Sequence, residues 1–160
     1  MGKGLHHSSG RVIALGRLIL AMLFLLAIGV DPSQPTFAPQ STYAILAIYL
    51  FLAAAIAVAT WNNWWLDARI AGPAHAIDIL LFTLLVLLTA GYTSPFFTFF
   101  IFVLLAAAIR WGWRATALTA TLLTLLYLGA GVVVIRAGAP FELENFAVRT
   151  GHLVILSLLL

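Results

Sequence analysis

The sequence predicts an all-α integral membrane protein, built as a module of six transmembrane helices with both ends of the chain in the cytoplasm. The apolar content, the spacing of the apolar runs and the placement of basic and tryptophan residues carry this prediction. Hydrophobic residues make up 64% of the 160 positions and charged residues 8%, whereas a soluble domain has roughly 45–50% apolar and about 25% charged residues. Water-soluble folds cannot bury that much apolar surface, so lipid is the expected solvent.

Six apolar runs are separated by short segments that contain proline, glycine or polar residues. Because a helix needs about 20 mostly apolar residues to cross the hydrocarbon layer, each run is predicted as a span. The alternating pattern of barrel strands is missing. The predicted spans are residues 12–30, 43–60, 74–90, 95–109, 115–135 and 151–160. The sixth run is shorter than a span needs, so we expect it to be truncated and the chain to be a fragment of a longer protein.

Residues 1–11 are predicted as a cytoplasmic tail, either native or derived from a tag, and residues 12–160 as one polytopic membrane domain. A secretory signal is the alternative for residues 1–30, since basic residues precede an apolar run. The run is longer than the apolar part of a signal, and no small-x-small cleavage site precedes Asp31. These features favour a first membrane span.

Lysine and arginine concentrate on one side of the predicted membrane, which the positive-inside rule assigns to the cytoplasm. That side holds six of them and the other side two: Lys3, Arg11, Arg17, Arg69, Arg110 and Arg114 against Arg136 and Arg149. All five tryptophans also fall at the cytoplasmic interface, where an amphipathic indole is favoured. With six spans, the C-terminus returns to the cytoplasm.

Sequence motifs for catalysis are missing. The chain has no Cys, which excludes disulfides, thiolate metal sites and a redox thiol. A phosphate-binding loop, a nucleophile elbow and a zinc-binding H-E-x-x-H helix are also missing. We therefore expect no catalytic residue and no metal site. Nucleic acid is not an expected partner, because the basic residues lie at the membrane edges and are expected to contact membrane lipids.

Three ionisable residues lie within predicted spans. His75 and Asp78 are spaced i, i+3 on one face of the third span, and Arg17 lies at a similar depth in the first span. Ionisable groups at such depth are candidate functional residues, and Asp78 would pair with Arg17 or with His75. The alternative is structural: Arg17 extends towards the interface while Asp78 hydrogen-bonds between helices. A proton relay is not favoured, since no polar residues continue the path.

Interfacial anchoring explains a second set of residues. The segment "RWGWR" joins spans four and five, and "WNNWW" follows span two. Arginine in such a turn can contact lipid phosphates, and tryptophan prefers the headgroup layer. The predicted anchors are Trp61, Trp64, Trp65, Arg110, Trp111, Trp113 and Arg114.

The segment "GYTSPFF" between spans three and four is the remaining candidate site. It is followed by further phenylalanines in "PFFTFFIF". A phenylalanine-rich wall is typical of a lipid-facing or helix-packing surface. The functional alternative is an apolar pocket for a planar, lipid-soluble ligand, with a few polar groups from the turn. The residues of this candidate ligand site are Gly91, Tyr92, Thr93, Ser94, Pro95, Phe96 and Phe97.

The chain resembles a family through "DPSQP" after the first span and "AHAIDILLFTLLVLLTAGYTSPFFTFFIFVLLAAAIRWGWR" through spans three and four. Together with six spans, these segments resemble the N-terminal membrane region of proteobacterial sensor histidine kinases, over nearly all the chain after residue 10. The resemblance implies a sensing and anchoring region in the bacterial inner membrane, working as a homodimer. It also implies that a kinase core using ATP and Mg²⁺ follows residue 160 and phosphorylates a cytoplasmic response regulator.

The turn is also similar to a segment of the redox-responsive histidine kinases, G-G-x-x-N-P-F, which is implicated in sensing ubiquinone. Gly91, Pro95 and Phe96 match this segment, whereas Ala90 and Ser94 depart from it. The similarity implies a quinone as the ligand of the turn. Replacing Asn by Ser removes an amide donor from that site.

Two other interpretations stay open. One is a stand-alone small membrane protein, such as a transporter or permease subunit, for which inverted repeats or broken spans would be expected. The other is the same membrane module joined to a different output domain, such as a cyclase.

Overall fold

The computed structural model describes residues 3–30, 39–89, 94, 96–136 and 143–160. All regular structure within these residues is helical. The described part of the chain holds six helices: α1 (Lys3–Val30), α2 (Pro39–Thr60), α3 (Trp64–Leu88), α4 (Phe97–Trp111), α5 (Trp113–Arg136) and α6 (Leu143–Leu159). The predicted all-α class is confirmed for this part of the chain.

Within the described ranges, four helical segments are long and apolar enough to cross a membrane: Ser9–Val30, Gln40–Thr60, Trp64–Leu88 and Trp113–Val133. Helix α4 is apolar but shorter. The fold is therefore that expected of a membrane protein, with four helices of spanning length. The six spans and the orientation of the chain stay predictions.

Three helices, α1, α3 and α6, begin at least eight residues earlier than the apolar runs suggest. Helix α1 begins at Lys3, so most of the predicted tail is helical. Helix α3 begins at Trp64 rather than at residue 74, because the Asn63 side chain accepts a hydrogen bond from Leu66 N at 3.2 Å and caps the first turn. Helix α6 begins at Leu143, with Glu144 in its first turn, where a carboxylate is favoured by the helix dipole.

The chain divides into two compact units, residues 1–76 and residues 77–160, with the boundary inside α3. In the first unit, α1 packs against α2. The buried positions of this pair include many alanines, which let two helices approach closely where apolar burial offers little driving force. These residues are Ala14, Ala21, Ala53 and Ala57.

In the first unit, hydrogen bonds also link α1 to the residue that follows α2. Arg11 donates to the carbonyl of Trp61 through Nε at 3.0 Å and Nη2 at 2.8 Å. A Cβ on Gly10 would overlap the Asp67 carboxylate at the start of α3. Glycine at position 10 therefore allows this close approach.

In the second unit, α4 packs against α5 and α6, and α5 packs against α6. One face of α4 is almost entirely enclosed: Phe97, Phe99, Phe100, Val103, Leu104, Ala106 and Ala107 are buried. Helix α4 is thus an interior helix of this unit, and its N-terminal end carries the candidate site.

Candidate functional site

The backbone just before α4 is held by a chain of hydrogen bonds that ends inside α3. Ser94 is fully buried, and its Oγ accepts from Phe96 N at 3.2 Å. Thr89 Oγ1 donates to the carbonyl of Leu85 at 2.7 Å and lies 2.5 Å from Ser94 Oγ. Because the Thr89 proton is used on Leu85, the Ser94 hydroxyl is left to donate to Thr89. Both hydroxyls are thus satisfied within the protein, as buried polar groups require.

Arg149 links this turn to α6. Its Nη1 donates to the carbonyl of Ser94 at 2.6 Å, and its guanidinium lies 5.4 Å from the centre of the Phe97 ring. The carbonyl of Ser94 also accepts from Phe97 N at 3.3 Å. One half-buried cation therefore contacts both the turn and the first residue of α4. Hydrogen bonds from a charged donor are stronger than neutral ones, particularly away from water.

Aromatic rings fill the space beneath the turn. Phe99 stacks on Phe82 of α3 at 4.1 Å and on Phe96 at 5.9 Å between ring centres. On the other side of α4, Tyr127 of α5 contacts Phe97 at 5.5 Å and stacks on Phe146 of α6 at 5.1 Å. We name these six residues the aromatic cluster. It joins α3, α4, α5 and α6 directly beneath the turn.

The α5–α6 part of the cluster is tightly packed. A Cβ on Gly131 would lie 2.9 Å from Cε2 of Phe146, closer than real Cβ contacts. The glycine therefore lets the Phe146 ring lie flat against α5. A movement of α6 cannot leave these rings unchanged, because close-packed interiors transmit displacements.

If α4 crosses the membrane as predicted, its length would place Ser94 below the membrane surface. Helix α4 has 15 residues, and at 1.5 Å per residue it spans about 22 Å. The hydrocarbon layer is about 30 Å thick. If the Trp111 end of α4 lies at the interface, the Ser94 end lies several ångströms inside the layer. Irregular backbone is tolerated at such depth only when it is buried in protein, and the bonds to Ser94 meet that condition.

The predicted ligand residues fall into two groups. Gly91, Tyr92, Thr93 and Pro95 lie outside the described residues. Ser94, Phe96 and Phe97 are buried. The side chains of Phe96, Phe97, Phe99 and Phe100 are buried within the second unit, and ligand binding at the turn stays a prediction.

The three ionisable residues predicted within spans are found at enclosed positions. Arg17 and Asp78 are buried and His75 is half-buried. Arg17 belongs to the first unit and Asp78 to the second. Their pairing stays a prediction.

The predicted interfacial anchors lie at or beside helix ends, and all of them are exposed except Arg110, which is half-buried. All five tryptophan side chains are exposed, and four of them pair with an arginine. The guanidinium-to-ring distances are 5.2 Å for Arg11 and Trp61, 5.2 Å for Arg69 and Trp65, 6.0 Å for Arg110 and Trp111, and 5.5 Å for Arg114 and Trp113. An exposed indole beside a cation suits the headgroup layer.

Sequence reasoning missed Arg149, Thr89 and Tyr127 as parts of the site. Arg149 was assigned to a loop because the start of α6 was placed after it. The overlooked signal is the segment "LENFAVRTGH", in which Glu144 and Asn145 resemble the first turn of a helix. The side chain of an arginine on the second turn of that helix can extend laterally and contact a neighbouring helix.

The arrangement can couple binding at the turn to a movement of α6, because any group that competes for the Arg149 guanidinium also changes a contact made by α6. Among the described residues, no three His, Cys, Asp or Glu side chains lie close enough together to hold a metal ion. Comparisons with protein-family models, with curated proteins and with solved structures found no match to the chain.

Proposed function

We propose that the chain is the membrane-embedded sensing and anchoring region of a bacterial sensor histidine kinase. In this proposal all six helices lie in the inner membrane, with both chain ends in the cytoplasm. The kinase core, with its ATP and Mg²⁺, lies in the part of the protein that follows α6. A cytoplasmic response regulator receives the phosphoryl group.

The observation that carries the proposal is the contact of Arg149 with Ser94. Helix α6 is the helix that would continue towards a cytoplasmic output domain. The hydrogen bond from Arg149 of α6 to the carbonyl of Ser94 supports a physical route from the turn to that domain. A ligand that binds one arrangement of this contact better than the other shifts the population between two positions of α6.

The ligand that we propose for the turn is a membrane-soluble quinone. A quinone carbonyl is a hydrogen-bond acceptor, and so is the carbonyl of Ser94. A quinone that reaches the turn competes with Ser94 for the Arg149 donor, while its ring stacks with the aromatic cluster. Release of Ser94 then frees α6 to move. Reduction of the quinone to its hydroquinone replaces the carbonyl acceptor by a hydroxyl donor, which suits Arg149 less.

Transport is the second candidate function. Buried, irregular backbone at membrane depth is typical of transporter helices that line a substrate path, and Ser94, which lies outside the helices and is fully buried, is compatible with such a role. In that case Arg149 would bind an anionic substrate. The same module joined to a cyclase or another output domain would use the Arg149 contact as a kinase does.

The test compares Arg149→Met with Arg114→Met in the whole protein that contains this chain. ATP-dependent autophosphorylation is measured in inverted membrane vesicles, with oxidised and with reduced ubiquinone. We expect the response to quinone to be lost in Arg149→Met and kept in Arg114→Met, because Arg114 is an exposed residue in the first turn of α5. Absence of autophosphorylation in the unaltered protein would overturn the kinase proposal. An unchanged quinone response in Arg149→Met would overturn the proposed role of the turn, and the kinase proposal would stand.

A further inference from the structure

An open groove lies between α1 and α2 in the first unit. Its volume is about 450 Å³, within the range of about 300–1,000 Å³ that is typical of ligand pockets. Most of its lining is apolar and comes from α1, from α2 and from the two residues that follow α2: Leu18, Ala54, Ala57, Val58, Trp61 and Asn62. The groove can therefore hold an elongated apolar group that lies along the two helices.

The two ends of the groove differ in polarity. The Arg11 guanidinium lies 5.2 Å from the centre of the Trp61 ring, so both side chains mark one end. Leu18 follows Arg11 by seven residues, and Ala54 precedes Trp61 by seven. Seven helical residues are close to two turns and about 10 Å, so Leu18 and Ala54 lie further along the groove. The groove is thus amphipathic, with a cation at one end and small or aliphatic side chains at the other.

The positive charge at the polar end is held in a fixed position. Arg11 donates to the carbonyl of Trp61 at 3.0 and 2.8 Å. Among the side chains described in residues 9–76, three are arginines (Arg11, Arg17 and Arg69) and one is a carboxylate, Asp67, so positive charge is in excess in this unit. An anionic group complements this end, and a guanidinium already held in place loses little freedom when it binds one.

Asn62 adds neutral donors at the same end. It follows Trp61 in the chain, its side chain is exposed, and its amide can donate two hydrogen bonds. The oxygens of a phosphate ester accept from an amide and from a guanidinium alike. The polar end therefore suits a phosphate headgroup, and the apolar end suits a hydrocarbon chain.

We propose that the groove between α1 and α2 binds one anionic phospholipid. The headgroup phosphate lies at Arg11 and Asn62, and part of one acyl chain lies along Leu18 and Ala54. Lipid chains are as apolar as the groove, so apolar contacts alone do not select one lipid over another. Selection therefore depends on the charge at Arg11. The proposal goes beyond the sensing role and the general contact of exposed anchors with lipid, because it assigns one lipid to one site on each chain.

Lipid binding to the purified chain tests this site, with phosphatidylglycerol as the anionic probe and phosphatidylcholine as the neutral one. The chain is solubilised in a mild non-ionic detergent, and native mass spectrometry measures the fraction that retains one lipid as lipid is added. We expect one phosphatidylglycerol per chain, bound about fivefold more tightly than phosphatidylcholine, which is the contribution of one arginine near a membrane surface. Equal binding of the two lipids would overturn the proposal.

Two arginine variants test the polar end. Arg11→Gln is compared with Arg69→Gln, because each arginine lies 5.2 Å from a tryptophan ring, but the ring beside Arg69 is that of Trp65, which does not line the groove. We expect Arg11→Gln to weaken phosphatidylglycerol binding about fivefold, and Arg69→Gln to change it less than about twofold. Equal weakening by both variants would indicate general attraction of anionic lipid to basic residues and would overturn the site.

Two alanine variants of α2 test the apolar end without changing the charge. Ala54→Leu fills the groove, whereas Ala55→Leu places the same side chain at an exposed position beside it. We expect phosphatidylglycerol binding to weaken severalfold in Ala54→Leu and to stay unchanged in Ala55→Leu, with equal helix content by circular dichroism. Unchanged binding in Ala54→Leu would overturn the groove as the acyl-chain site.

Two competitors separate the lipid from other ligands. Glycerol phosphate carries the phosphate without an acyl chain, and we expect it not to displace phosphatidylglycerol. Displacement by glycerol phosphate would overturn the proposal, because the headgroup alone would then explain binding. Displacement by an equal concentration of ubiquinone would also overturn it, and would assign the groove to a quinone.

Discussion

Two turns of the second unit lie at opposite ends of α4 and are built in opposite ways. The turn after α4 is a single residue, Gly112, flanked by exposed tryptophans and by arginines that lie over their rings. The turn before α4 is fully buried at Ser94, and its polar atoms are bonded to Thr89 and Arg149. The tryptophan side chains beside Gly112 are exposed, whereas Ser94 is enclosed by protein.

This difference follows from where each turn finds hydrogen-bond partners. At the exposed end, Gly112 N donates to the carbonyl of Ala108 at 3.1 Å, and Gly112 O accepts from Thr116 N and Oγ1, so the adjoining helix ends satisfy the backbone groups of the glycine. At the buried end, Ser94 also bonds to the side chains of Thr89 and Arg149, which belong to other parts of the chain. The buried turn is therefore coupled to α3 and α6, whereas the exposed turn is free to serve as an anchor.

The largest expected effect concerns the packing beneath the buried turn. Phe99→Ala removes a fully buried ring that stacks on Phe82 and Phe96. We expect the free energy of unfolding to fall by about 3–5 kcal/mol, because the cavity cannot close around two rigid rings. The measurement is unfolding in mixed micelles by titration with dodecyl sulfate, followed by circular dichroism.

Leu105→Ala is the matched control on the same helix, since Leu105 is exposed. It should lower the free energy of unfolding by less than about 1 kcal/mol, because its side chain faces lipid rather than a close-packed interior. A similar loss for both variants would show that the aromatic cluster is not packed as described.

The exposed turn has one sensitive position. Gly112 has φ of 77° and ψ of −168°, a backbone conformation adopted almost only by glycine. No atom lies within 4 Å of a Cβ built there, so Gly112→Ala tests backbone strain without a steric clash. We expect the free energy of unfolding to fall by about 1–3 kcal/mol.

The control for this variant is Gly129→Ala inside α5, where a Cβ also meets nothing. Alanine is favoured over glycine in a helix by about 1 kcal/mol, so stability should rise slightly. If both substitutions changed stability in the same direction, the left-handed backbone at Gly112 would be contradicted. The same micelle titration measures both.

Much of the exposed turn could be predicted from the sequence, because its features are local. Neighbouring Arg and Trp residues around one glycine indicate an interfacial bend, and the structure has the bend there. The helical class was predictable for the same reason, since the apolar runs are continuous. Helix starts were placed late at α3 and α6, because caps such as Asn63 and first-turn acids such as Glu144 were taken as loop residues.

The buried turn could be predicted only in part, because its partners are distant in sequence. The residues of "TSPFF" marked a bend, but 55 positions separate Ser94 from Arg149. No local pattern shows that an arginine on one helix donates to a carbonyl near another. Phe82, Tyr127 and Phe146 could not be predicted for a similar reason. They join the aromatic cluster through packing between helices, which the hydropathy of each single helix does not reveal.

The smallest expected effect comes from a single hydroxyl. Ser94→Ala removes the acceptor of Phe96 N and the donor to Thr89, while the Ser94 backbone carbonyl can still accept from Arg149. We expect a loss of about 1–2 kcal/mol in the free energy of unfolding, because one buried N–H is left without a partner. Ser157→Ala removes an exposed hydroxyl that bonds to Val154 within its own helix and should change stability by less than about 0.5 kcal/mol. Equal effects would indicate that water reaches Ser94, since water would replace the lost bond. The contrast between a turn bonded by its own adjoining helices and a turn bonded by side chains from elsewhere in the chain would then fail at Ser94, the residue on which it depends.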